Sequence, residues 1–129
     1  MYGSITTSDI LGQTRTVQTV TFPTTTSGTN VTYLLSIKLA AVNNTNTTSA
    51  QIGIGYSIKS LCYVTDVGVV TLISSAIYNN FTNLSGASFS ITTGTSTISI
   101  NVTGVSPNAI NWISSVKTLV SPLSSNNFP

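Results

Sequence analysis

The chain has 129 residues, with four Lys or Arg, two Asp or Glu and no His, for a formal net charge of +2. That length suits one domain able to bury a core, and a single cysteine excludes an internal disulfide framework. Charged residues stand at about a fifth of the usual share, so Ser, Thr and Asn must supply the polar surface.

No charged stretch leads into an apolar run at the start of the sequence, which offers no signal peptide and no membrane span. A product of that kind is expected to stay in the cytoplasm, or to leave it inside a particle such as a virion. Residues 1–13 alternate poorly yet carry Tyr2, Ile5, Ile10 and Leu11, and they are read as an N-terminal arm. A strand is expected over Thr14 to Phe22, ending at Pro23 and the loop Thr24 to Gly28. The clearest period-two run follows. Val31, Tyr33, Leu35, Ile37, Leu39 and Ala41 share one face, with Thr32, Ser36 and Lys38 on the other. Ile52, Ile54, Tyr56 and Ile58 continue the pattern. After Ser60 the apolar parity passes to Leu61 and Tyr63, which predicts a bulge or a break at that point.

Asp66-Val67-Gly68 reads as a tight connection into Val69 to Ala76. Ala87, Phe89 and Ile91 make a shorter strand, which turns through Thr93-Gly94 into Ile98, Ile100 and Val102. Beyond the loop Gly104 to Asn108, the last strand carries Ile110, Trp112, Val116 and Val120 on one face. Residues 121–129, with two prolines, Leu123 and Phe128, are read as a C-terminal tail.

Seven or eight strands separated by turn signals predict an all-β fold over residues 14–120. The architecture expected is a two-sheet antiparallel β-sandwich, Ig-like or jelly-roll-like. Lys38, Lys59 and Lys117 fall opposite the apolar parity of their strands, and Arg15 does the same relative to Val20 and Phe22. Leu35, Ile37, Ile54, Trp112 and Val116 should therefore share one interior.

The missing residue types decide most of the chemistry. Without histidine there is no Ser-His-Asp or Cys-His unit and no His-based zinc site. Two scattered aspartates give little support to a paired-carboxylate centre or a calcium loop. Ser114 to Lys117 spells S-x-x-K, but in a strand positions three apart point to opposite sides. Gly53-Ile-Gly55 lies inside a strand and lacks the third glycine of a dinucleotide fingerprint. Cys62 has no base to activate it and reads as a packed thiol. No enzyme activity, cofactor or metal is expected. Four cations on four strands are read as making no patch, which argues against nucleic acid. Tyr33, Tyr56 and Trp112 fall at inward parity, whereas Tyr2, Tyr78 and Phe81 are the aromatics freest to stack on a sugar.

The segment Thr97 to Gly104, a short loop, and then Ile110 to Lys117 resembles the C-terminal hairpin of small β-sandwich proteins in tailed-phage particles. The resemblance covers about a fifth of the chain. It implies a virion structural protein, foremost a capsid decoration (cement) protein that stabilises the particle as a homo-oligomer, with a trimer as first expectation. Partners would then be further copies of the chain and a major capsid or other virion protein. The alternatives are a fibre or receptor- and glycan-binding module of a phage, or a pilin-like surface subunit. For decoration, Tyr2, Ile5, Ile10, Leu11, Leu123 and Phe128 are the expected assembly contacts, placed on arms that reach neighbours. Sheet edges without dense lysines point the same way.

Overall fold

A computed structural model describes residues 1–7, 13–23, 30–43, 53–82, 87–104 and 109–120, with only the backbone at 43, 53, 54 and 78–82. Ile10, Leu11, Leu123 and Phe128 lie outside the described residues, as do the side chains of Ile54, Tyr78 and Phe81.

Among the described residues, alternating apolar and hydroxyl side chains fold into eight strands. They are β1 (Tyr2–Thr7), β2 (Thr14–Thr21), β3 (Val31–Asn43), β4 (Gly53–Val64), β5 (Val70–Thr82), β6 (Ser88–Gly94), β7 (Thr97–Thr103) and β8 (Ile110–Val120). Two antiparallel sheets form, one in the order β1-β8-β3-β4-β5 and the other β2-β7-β6. The predicted sandwich is the observed one. Tyr33, Leu35, Ile37, Leu39, Ile58, Cys62, Trp112 and Val116 face inward from the large sheet, against Val20, Ile98, Ile100 and Val102 of the small one. Each large aliphatic buried in this way contributes roughly 1.5–3 kcal/mol. Phe22 packs on Tyr33 with ring centroids 4.5 Å apart, and Phe89 on Tyr56 at 4.6 Å. The two sheets are thus joined by an aromatic pair on either side.

The turn at Asp66-Val67-Gly68 is as expected. Gly68 adopts φ +85, and its amide donates to Thr65 O at 3.0 Å. Its carbonyl accepts from Ser96 in the β6–β7 hairpin at 2.8 Å, and Ser96 O in turn accepts from Phe22 N. Three connections are thereby tied together at one end of the sandwich.

Four expectations need correction. First, Tyr2 to Thr7 is a strand of the large sheet, paired with β8 from Tyr2↔Ser115 to Thr7↔Ile110. In an arm Tyr2 and Ile5 would leave the domain, whereas here Ile5 packs against the core. Second, β4 keeps its parity past Ser60. Cys62 and Val64 are buried, and the irregularities fall on β5, where Ile73 and Tyr78 are the extra residues. The apparent slip arises because Ser60 is a hydroxyl at an inward position, where it hydrogen-bonds Ser75 Oγ at 2.8 Å. Third, a register shift between Thr16 and Gln18 puts Arg15 opposite the inward-facing Val102. Its guanidinium escapes at the corner of the sandwich and donates to Thr6 O at 3.1 Å. Fourth, the edges are defended without lysine. β1 and β6 are short, and β2 and β5 carry bulges, all of which discourage strand addition.

The shift in β2 turns both Val17 and Gln18 inward. Ser114 Oγ donates to Gln18 Oε1, while Gln18 Nε2 is buried with no partner. An unpaired buried donor costs about 1–3 kcal/mol. Replacing both residues, Gln18→Leu with Ser114→Ala, should be neutral or should stabilise by up to about 1 kcal/mol. Ser114→Ala alone orphans the whole amide and should destabilise by about 1–3 kcal/mol. Urea midpoints of the three proteins decide it, and a double variant weaker than the single one would contradict this account.

Candidate functional site

Among the described residues, the two nucleophile candidates of the sequence, Ser114 and Cys62, are not brought beside a base. Ser114 is buried between the sheets and Lys117 is exposed on the other side of β8, so the S-x-x-K spacing brings nothing together. Cys62 is fully buried, and burial pushes its thiol pKa up, the opposite of an activated nucleophile. Tyr33, its cross-strand partner, is also raised, first by burial and then by the Cys62 charge. Both groups are held neutral in the folded protein. Unfolding frees them to ionise, so stability should be complete below the ordinary thiol pKa and decline as pH rises above it. Folded protein should accordingly resist thiol reagents until urea exposes Cys62. Rapid labelling in native buffer would refute the buried position.

Among the described residues, no three His, Cys, Asp or Glu side chains come together as metal ligands do.

The two outer faces of the sandwich differ in kind. On the small sheet, hydroxyls and amides bridge the strands. Thr16 Oγ1 donates to Asn101 Oδ1 at 2.8 Å, Asn101 Nδ2 donates to Thr92 Oγ1 at 2.9 Å, and Thr14 meets Thr103 at 2.8 Å. These groups satisfy each other and leave a neutral surface.

On the large sheet the register stacks unlike rows. Leu119, Leu34 and Leu61 lie side by side across β8, β3 and β4. Lys117, Ser36 and Lys59 form the next row. Then come Tyr2, Ser115, Lys38 and Ser57, and after them Ser4, Ile113, Ala40 and Gly55. The last two rows line an open groove of about 650 Å³. Its position follows from side-chain size: Ala40 and Gly55 offer almost no bulk, while Ile113 and Tyr2 stand beside them, 59% and 85% exposed. The groove runs across four strands, roughly 14 Å from β1 to β4 at the usual strand spacing.

Sequence reasoning singled out Tyr2 for an exposed aromatic role, and the structure puts it at the groove. Tyr33 and Trp112 are buried, and Tyr56 is half-buried against Phe89, as their parity implied. The cations are a correction. Three of the four stand on one face: Lys59 and Lys117 flank Ser36, and Lys38 is two residues along β3. Residues 38, 59 and 117 are distant in sequence, and only the pairing of β8, β3 and β4 brings them side by side. Their outward parity was legible, but parity does not say which strands are neighbours, so the sequence carried no signal for the cluster itself.

No protein-family model and no curated protein matches the chain. Among solved structures it is similar to the Acinetobacter phage vB_ApiP_P1 tailspike protein, at 16% identity and a TM-score of 0.43, covering 93% of this chain and 22% of that one. It is also similar to the Acinetobacter baumannii phage AM24 tailspike protein, at 10% identity and a TM-score of 0.39, covering 96% of this chain and 27% of that one. The chain thus spans about a quarter of the length of each.

Proposed function

We propose that the chain is a ligand-contacting module of a phage fibre, working by surface recognition rather than by catalysis. The supporting observation is the groove on the outer face of the large sheet, where an exposed tyrosine and isoleucine border a floor of alanine and glycine. A sheet face that only covered a core would be expected to be evenly polar, as the small sheet's is. Exposed aromatic and aliphatic side chains grouped around a concavity are instead the usual mark of a binding surface.

Capsid decoration is the rival within the same reading. Its assembly arms are now reduced, since Tyr2 and Ile5 belong to the sheet. Both roles would make the chain a homo-oligomer, with exposed apolar residues such as Leu119 and Ile73 available for contacts between copies. Quantitative mass spectrometry of purified particles separates the roles. A few dozen copies or fewer support a fibre, hundreds support decoration, and absence from the particle overturns both. Light scattering on the purified chain tests the oligomer directly.

A further inference from the structure

We propose that the groove on the large sheet, together with Lys38, Lys59 and Lys117, is a binding site for an acidic saccharide. The inference rests on reading this face as a ligand-contacting surface and adds the class of ligand.

Charge is the first reason. The sequence holds only six charged side chains, and three of them are lysines on this one face. Among the described residues the one carboxylate, Asp66, lies in the β4–β5 turn, beyond the end of the strand rows that carry the lysines. Lys59 and Lys117 stand roughly 10 Å apart across β3, and Lys38 is about 7 Å further along that strand. Lysine's flexible four-carbon stem lets ammonium groups at these spacings converge on a single anion. So few charges in the whole chain make three on one face a marked local excess.

Shape and wall chemistry are the second reason. Tyr2, 85% exposed, offers a ring face to a sugar, and Ala40 and Gly55 leave room for a flat ring to lie against the sheet. Ser4, Ser57 and Ser115 line the same groove and can exchange hydrogen bonds with sugar hydroxyls. A nucleic acid strand would instead call for a longer basic track with repeated aromatics, and among the described side chains the face has three lysines, no arginine and one largely exposed tyrosine. A peptide adding as a strand would pair along the β1 edge, whereas the groove lies across the outer face of four strands, perpendicular to that edge.

The test is calorimetric titration of the full chain with carboxylated polysaccharides (polysialic acid, alginate and hyaluronate), with neutral dextran, and with oligothymidylate. At least one carboxylated polymer should bind, and raising salt from about 0.05 M to about 0.5 M should weaken it by about tenfold or more. Lys38→Ser with Lys117→Ser should lower the affinity by about tenfold or more at low salt, and Tyr2→Ala by a similar factor. Arg15→Ser removes a cation that lies on β2 outside the groove, and should lower the affinity far less than the lysine pair does. If dextran binds as well as the acidic polymers and only Tyr2→Ala weakens it, the acidic class is wrong but the surface is a saccharide site. Tighter binding of oligothymidylate than of any saccharide overturns the proposal in favour of nucleic acid. Binding to none of these polymers overturns both the saccharide class and the reading of the face.

Discussion

Trp112→Ala is expected to destabilise the protein by about 3–5 kcal/mol, the range for removing a large buried aromatic. Trp112 is fully buried on β8, with the small sheet packed on the inner face it occupies. Its indole Nε1 donates to Thr7 Oγ1 at 3.1 Å, joining β8 to the end of β1 inside the core. Two variants separate packing from this hydrogen bond. Trp112→Phe keeps much of the ring volume but loses the donor, and strands the buried Thr7 hydroxyl. Thr7→Val keeps the indole and leaves its N–H unpaired, which should cost about 1–3 kcal/mol. Urea unfolding followed by circular dichroism gives all three values without relying on tryptophan fluorescence. A loss below about 1 kcal/mol for Trp112→Ala would mean that β8 does not present this face to the core.

Gly3→Val should be the most damaging substitution at the edge of the sheet. A Cβ at position 3 would overlap the Val17 carbonyl oxygen and come within 2.8 Å of Gln18 Cβ and 3.1 Å of Ser114 Oγ. The first obstacle is backbone, which cannot rotate away as the end of a side chain can. β1 must therefore shift from β2, or the bulge in β2 must reform. Overpacking of this kind costs about 1–3 kcal/mol, and here it falls on the short strand that carries Tyr2. Amide exchange in residues 2–7 should quicken more than exchange in β7 or β3. The groove would lose its tyrosine end, so saccharide binding should fall along with protection of β1. Unchanged exchange across β1 would show that the close approach to β2 does not hold the strand in place.

Much of this architecture was legible in the sequence because a strand with one buried face writes its register into alternate residues. β3 and β7 are the clearest cases: every second side chain is apolar, and those are the ones buried. β1 was hidden for a physical reason. Gly3 sits where two sheets approach, Thr7 is a buried polar group serving Trp112, and neither leaves an apolar signature. Ser60 misled in the same way, as a hydroxyl satisfied by Ser75 within an otherwise apolar series. The arrangement of the lysines was illegible in principle, because alternation fixes which face a residue takes but not which strand lies beside it. Tyr2 was picked out as a free aromatic, yet the residues that shape its surroundings, Ala40, Gly55 and Ile113, carried no mark of their own.

The pairing of β1 with β8 also sets a timetable for synthesis. Thr7 must wait for Trp112, 105 residues later, before its hydroxyl meets the indole. At ribosomal speeds of about 5–20 residues per second, the first strand spends roughly 5–20 s without its neighbour. Closure of the large sheet is therefore a late event that cannot precede release of the eighth strand from the exit tunnel. A nascent chain stalled with β7 clear of the tunnel and β8 still inside it should show contacts among β3 to β7 forming while residues 2–7 stay open to protease, and a chaperone that shields apolar segments would find Ile5 among its earliest targets.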